Sequence, residues 1–257
     1  MAPLCAGIDC VVHLAGTLFV ARPQRVLPRT NIEFVQNLVR AAREAGVRKF
    51  ILISFPHAEG ESTPERPATG RLETSSNVIH FRTRLQAEKA VFASCQGSGM
   101  TPIIFRAGIA YGKGLKLFEA ARWMLRYRLL AIWPEPTWAH LISTPDFLTA
   151  LRAAIQNQDT SGIYQVCDDG PLYLQDLLDK MADHWGYSGP WKLPSSMFHL
   201  AGWGCEMLCL LTGTAAPINR DIIRAGMTSC VADNSRMKRE LLPALAYPTI
   251  DHGIELL

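Results

Sequence analysis

The 257-residue sequence predicts an α/β fold: a doubly wound parallel sheet followed by a smaller, mostly helical C-terminal lobe. Three observations predict it. Short continuous apolar runs recur along the chain, as strands buried on both faces do. Segments with apolar residues at helical spacing separate them. The alternation of strand and helix makes successive strands parallel, joined by right-handed crossovers.

The elements follow in order. Residues 9 to 15, DCVVHLA, read as a buried strand that Gly16 ends. Thr30 is placed to cap a helix in which Phe34, Val35, Leu38, Val39 and Ala42 recur at helical spacing, and Gly46 closes it. KFILIS, Lys49 to Ser54, is a second strand. Phe55 to Asn77, rich in Pro, Gly, Glu and Thr, reads as a loop. His80 to Gln96 is helical, and Thr101 to Arg106 is a third strand. Helices are expected over Leu115 to Arg126, Asp146 to Ile155 and Leu174 to Trp185, with a short strand at Gly162 to Val166. Met197 to Leu211 is apolar almost all round, and 219 to 242 is helical and more charged. Residues 1–186 are therefore expected to form the sheet domain. Residues 187–257 would form a lobe over its mouth, on the substrate side.

Composition narrows the function. Hydrophobic residues make up 48% and charged residues 19%, which excludes a disordered chain. Lys and Arg number 26 against 23 Asp and Glu, a net charge of +3, and no basic stripe appears, so nucleic acid is not an expected partner. The 7 cysteines are scattered and odd in number, which points to buried thiols in a reducing cytoplasm rather than a disulfide framework. Cys205 and Cys209 share a helix face, but no His or Cys pair stands nearby to complete a metal site, so none is expected. The first ten residues lack a signal-peptide layout, and no run of about 18 apolar residues marks a membrane span.

Several segments, in order, resemble the extended and atypical short-chain dehydrogenase/reductases of the NAD-dependent epimerase/dehydratase branch. GIDCVVHLAG (7–16) resembles that family's fourth strand and its turn. Asn31 with NLVRAAREAGVRKFILIS (37–54) resembles the next helix and fifth strand. HFRTRLQAEKAVF (80–92) resembles the active-site helix, and FRAGIAYGKG (105–114) the segment after the sixth strand. STPDFLTA (143–150) and GIYQVCDDGPLYLQDLLDKMA (162–182) resemble later pieces. The resemblance runs from residue 7 to about 186 and implies a Rossmann-like sheet.

Two departures stand out. The family's G-x-x-G-x-x-G loop, where backbone approaches the cofactor pyrophosphate, is not present in this sequence. The resemblance thus starts at the fourth strand, so the sheet is expected to lack its first strands and the chain as given to be unable to bind dinucleotide. A truncated gene model, a shifted start or a splice form would each account for this. At the chemistry, the family's Tyr and the Lys four residues later correspond here to His80 and Arg84.

His80 and Arg84 share a helix face. Imidazole can do acid/base work at neutral pH, and a nearby Arg favours its neutral form, a base. Arg can hold ribose hydroxyls or a phosphate. The alternative is that both are ordinary polar residues on a helix rim. Ser54 stands near the family's Ser/Thr, and Leu14, Ala15, Gly16, Arg106, Ala107 and Gly108 match positions beside the cofactor. Gly16 also suits a plain tight turn, and Arg106 equally suits an ion pair. His57, Glu59 and Glu61 lie in the long loop, as substrate contacts or as solvated residues, and Asp146 is expected to cap a helix or brace a loop. Five tryptophans, Trp133, Trp138, Trp185, Trp191 and Trp203, suggest an aromatic pocket wall or plain packing.

The resemblance implies an oxidoreductase using NAD or NADP on a hydroxyl or carbonyl carbon of a small molecule, a nucleotide sugar or similar, and a possible homodimer. The rival is a non-catalytic relative that senses cofactor or acts as a scaffold.

Overall fold

The computed structural model describes residues 5–17, 20, 22–212 and 219–257. In chain order the strands and helices are β1 (Cys10–His13), α1 (Pro23–Leu27), α2 (Phe34–Glu44), β2 (Lys49–Ser54), α3 (Ile79–Cys95), β3 (Thr101–Ala107), β4 (Ile109–Tyr111), α4 (Lys116–Arg126), β5 (Ala131–Ile132), β6 (Trp138–Ala139), β7 (Leu141–Ser143) and α5 (Thr144–Gln156). They continue with β8 (Gly162–Val166), β9 (Leu172–Tyr173), α6 (Leu174–His184), β10 (Trp191–Lys192), α7 (Ser195–Thr212), α8 (Arg220–Gly226), α9 (Ser235–Glu240) and α10 (Ile250–Gly253).

The main sheet has four parallel strands in the order β1-β2-β3-β8. Alternation in β2 and β3 feeds two cores at once. Phe50, Leu52 and Ile104 meet Val35, Val39 and Ala42 of α2 and Ala87 and Val91 of α3 on one face. Ile51, Ile103 and Phe105 meet Ala150, Leu151 and Ala154 of α5 on the other. Met237 of α9, with Leu241 and Leu242, joins that second core, so the C-terminal segment packs back onto the sheet. The period of two with apolar residues on both sides is what a sheet covered on both faces requires.

β1 is half-buried throughout and is the outermost strand of the four among the described residues. It is shorter than the sequence suggests. Leu14, which would extend it, is 60% exposed. Three short two-stranded pieces, β4 with β7, β5 with β10 and β6 with β9, escape sequence reading because two or three residues carry no periodicity.

The expected cap at Thr30 is not one. α1 runs through a π-helical stretch, Pro28–Glu33, directly into α2, and Thr30 Oγ1 donates to the Val26 carbonyl one turn back at 3.1 Å. Thr30 looks like a helix-start signal, yet it lies inside a helix that α1 has already begun, with Pro28 at the junction to the π segment. Gly46 does end α2, at φ +76°. The helix expected over 219–242 is two short ones, α8 and α9. Between them the chain runs beside the long loop, where the Ser62 N–H donates to Ser229 O and the Ala68 N–H to Val231 O. That loop also holds a 3-10 turn, Pro56–Glu59.

No helix among the described residues is long and apolar enough to cross a membrane. Nor is any group of three or more His, Cys, Asp or Glu among them placed to hold a metal ion.

Candidate active site

In a parallel sheet the C-terminal strand ends point the same way and open a cleft. Here β1 ends at His13, β2 at Ser54 and β3 at Ala107, and the first turn of α3 faces the same end. His80 and Arg84, four residues apart on α3, are both buried. The two aromatic planes of His80 and Phe55 lie parallel, with centroids 5.0 Å apart, and the Arg84 guanidinium stands 6.0 Å from the Phe55 ring centre.

The nitrogens of this group are unusual. His80 Nδ1, Arg84 Nε and Nη1, and His13 Nε2 are buried with no hydrogen-bond partner among the described residues. Burial, then the charge of Arg84, then His57 push the His80 pKa down to about 4. His13 is lowered by burial and by Arg84. Both imidazoles are therefore neutral at pH 7. Burial also lowers Arg84, opposed by the charge of Glu88 one turn on. Buried polar groups left unpaired cost about 1–3 kcal/mol each, more for charged groups, so this cluster is built at the expense of stability.

Gly16 sits against the guanidinium. A β-carbon there would lie 2.5 Å from Arg84 Nη2. Leu14 and Ala15 beside it are exposed. Gly108 is held even more tightly, since a β-carbon would come 2.5 Å from the His140 carbonyl oxygen. Ala107 and Gly108 line a cavity of about 420 Å³ between the strand ends and α8, with His80 and Phe55 on its wall.

Ser54 and Arg106 are drawn away from this cavity. Ser54 Oγ donates to Glu88 Oε1 at 2.5 Å. The Arg106 side chain is 0% exposed and pairs with Glu88 at 2.6 Å and Glu59 at 2.6 Å. Its Nη2 also donates to the Arg71 carbonyl at 2.8 Å. Glu59, from the long loop, accepts further from Gly70 N, Arg71 Nε and Gln165 Nε2. It braces the interior. Asp146 also braces a loop, its carboxylate taking the Ala246 and Tyr247 N–H groups, while Ser143 is the cap of α5.

The structure brings His80, Arg84, Gly16, Ala107 and Gly108 to one end of the sheet. It also brings in His57, which the sequence offered as a substrate contact or a solvated residue, and it adds His140 and Asp221, which the sequence did not mark. His57 lines the cavity and its Nε2 donates to the Thr228 carbonyl at 3.1 Å; burial drives its pKa down to about 4. His140, also in the wall, accepts the Ala232 N–H on Nδ1 and so donates from Nε2 to the Asp168 carbonyl. Burial holds its pKa at about 4. Asp221 reaches from α8 to take the Ile79 N–H. Of the five tryptophans, only Trp138 lines the cavity; Trp191 and Trp203 are exposed because α7 and β10 turn them outward.

A parallel sheet with helices on both faces and a cleft at its strand C-termini is a Rossmann-like arrangement. The model of the NAD dependent epimerase/dehydratase family matches residues 1–167, and the chain belongs to that family. The chain is 30% identical to a UDP-glucose 4-epimerase of Vibrio cholerae over 112 residues, 41% of this chain and 34% of that relative. Among solved structures it is similar to the human epimerase family protein SDR39U1 with NADPH, at TM-score 0.74 and 12% identity, covering 99% of this chain and 84% of that one. It is also similar to the dTDP-glucose 4,6-dehydratase DesIV of Streptomyces venezuelae with NAD, at TM-score 0.75 and 18% identity, covering 100% and 74%. These likenesses concern the fold.

Proposed function

We propose that the protein is an NAD(P)-dependent oxidoreductase of the epimerase/dehydratase type, exchanging a hydride and a proton at a hydroxyl or carbonyl carbon of a small molecule. One observation carries this reading: His80 and Arg84 bring unpartnered buried nitrogens to the strand ends, beside a cavity of substrate size.

The residues present fit the nicotinamide-riboside end of the cofactor. Arg84 has free donors for ribose hydroxyls, and Gly16 leaves the guanidinium its room. When bound, nicotinamide supplies or accepts the hydride. The remaining work falls to the chain. His80, neutral because its pKa stands at about 4, takes the proton from a substrate hydroxyl at Nδ1 in oxidation, and in reduction it passes a proton drawn from solvent back to the substrate oxygen. Phe55, stacked on the imidazole, fixes its plane. Ser54 acts on positioning alone, through Glu88, which ties α3 to β2 and β3.

The test uses dihydronicotinamide riboside, which carries the reactive ring and ribose without the pyrophosphate. It should bind saturably, and Arg84→Met should weaken it about 10-fold, the loss of one charge-assisted hydrogen bond. With that hydride donor and 2-acetylnaphthalene, His80→Phe should abolish reduction while leaving riboside binding in place. Wild-type turnover by the His80→Phe protein would remove His80 from the chemistry.

The cofactor-sensing or scaffolding reading is favoured by the commitment of the Ser54 hydroxyl to Glu88. It predicts riboside binding that depends on Arg84, with no hydride exchange to any ketone.

A further inference from the structure

The walls of the cavity carry almost no charge. No Lys or Arg lines it. The residues outside the described set supply none either: 1–4 read MAPL, 18, 19 and 21 are Leu, Phe and Ala, and 213–218 read GTAAPI. Arg84, the buried cation of the site, is not in the cavity wall, and Arg220, at the start of α8, is paired with Glu206 outside it. The one acid in the wall, Asp221, is negative or neutral and never attracts an anion.

The polar wall groups are mostly spent on the protein itself. His57 gives Nε2 to Thr228 O, and His140 uses both nitrogens on the backbone. Thr137 Oγ1 donates to Glu135 O and accepts from Trp133 Nε1. Asn219 gives its amide to Val20 O and takes the Ile222 N–H. His80 Nδ1 is left without a partner. Thr228 Oγ1 donates to Arg224 O, and the rest of the surface is Phe, Pro, Ile, Leu, Val, Ala, Gly, Trp and Cys230.

We propose that the substrate of this site is an uncharged, largely apolar alcohol or ketone, with its single oxygen at His80 and its hydrocarbon body between Phe55, Trp138 and Ile222. A nucleotide sugar does not suit this cavity. Its pyrophosphate carries two negative charges, and burying them with no cation or free donor costs several kcal/mol. The inference rests on the reading of His80 as the partner of the substrate oxygen, and its test needs no cofactor.

The protein is titrated, without nicotinamide, with 2-acetylnaphthalene, with 2-naphthoate and with UDP-glucose, followed by saturation-transfer NMR and calorimetry. The neutral ketone should bind, the carboxylate at least about 10-fold more weakly, and UDP-glucose not measurably. Ala225→Trp, which fills the cavity from α8, should remove ketone binding, and Ala225→Val, a smaller change, should weaken it only in part. Binding of UDP-glucose in preference to the ketone overturns the proposal, as does failure of the ketone to bind. Equal affinity for ketone and carboxylate overturns it too, as does ketone binding that survives in a folded Ala225→Trp protein. Ketone binding without any riboside binding would instead remove the oxidoreductase reading and leave the apolar-ligand site standing.

Discussion

Gly16 and Arg84 stand so close that a methyl group on Gly16 would overlap the guanidinium, 2.5 Å from Nη2. The contact joins the turn after β1 to the first turns of α3, across the mouth of the sheet. Because the atom met is the far end of a long side chain, Gly16→Ala should displace Arg84 rather than unfold the protein. The melting temperature should change by less than about 4 °C, the shift expected for 1 kcal/mol or so. Riboside binding should fall about as far as in Arg84→Met. Normal riboside affinity in Gly16→Ala would show that the guanidinium is not where the ligand sits.

A second prediction concerns the ion pairs behind the site. Arg106 has no exposed surface and divides its donors between Glu88 and Glu59, and Ser54 adds its hydroxyl to Glu88. Removing one partner leaves a buried charge uncompensated. Glu88→Ala should therefore cost about 3–5 kcal/mol in urea unfolding. Ser54→Ala removes one hydrogen bond and should cost about 1 kcal/mol. If Ser54 instead touches substrate, Ser54→Ala will change turnover more than stability, which the urea midpoint and the ketone reduction rate separate directly.

What was legible in the sequence had local signals. β2 and β3 announced themselves as continuous apolar runs, β8 was expected as a short strand at the bounds it has, and α3 began within one residue of its expected start. His80 and Arg84 were legible because they stand where the resembled family has its Tyr and Lys, and four residues on a helix make one face. The pairing of Arg106 with Glu59 was not, since it spans 47 residues and leaves no periodic trace. For His57 the sequence left substrate contact and solvated loop both open, and the bond to Thr228, 171 residues away, that holds it in the wall leaves no local trace. Thr30 misled because a Thr ahead of a helical apolar repeat is a start signal, and the π-helical turn that carries it onward has no sequence mark.

Acid stability follows from the histidines. His57, His80 and His140 each have a folded pKa of about 4 against 6.5 unfolded, and His13 shifts the same way. Between those values the unfolded chain binds more protons, so stability rises with pH across roughly 4 to 6.5 and is lost as pH falls through that window. Asp168 works in the opposite direction. Burial lifts it to about 7, so the folded state holds its proton longer and stability falls as pH rises from about 4 to 7. The imidazoles outnumber it. Stability should climb by about 1.4 kcal/mol per pH unit for each net proton between pH 4.5 and 6.5 and level off above about pH 7. Asp168→Asn should steepen the climb. Urea midpoints measured from pH 4.5 to 7.5 that stay level would contradict this.

The last prediction weighs the two ends of the cofactor against each other. On the proposed reading the nicotinamide-riboside end would meet Arg84 and His80, whose buried nitrogens have no partner among the described residues. The pyrophosphate needs backbone N–H groups at a glycine-rich turn opening a helix, and these 257 residues contain no G-x-x-G-x-x-G sequence. Charge-assisted hydrogen bonds of that kind contribute about 1.5–3 kcal/mol each, so their absence removes most of the gain that the larger ligand would bring. This polypeptide should therefore bind NADH and NADPH no more than about 10-fold tighter than dihydronicotinamide riboside, a difference of 1.4 kcal/mol. Arg84→Met should weaken all three ligands to a similar degree. Calorimetric titration decides the matter. A dinucleotide affinity 100-fold or more above that of the riboside would mean that other residues of this chain grip the pyrophosphate. A large difference between NADH and NADPH would place a 2′-phosphate contact among them.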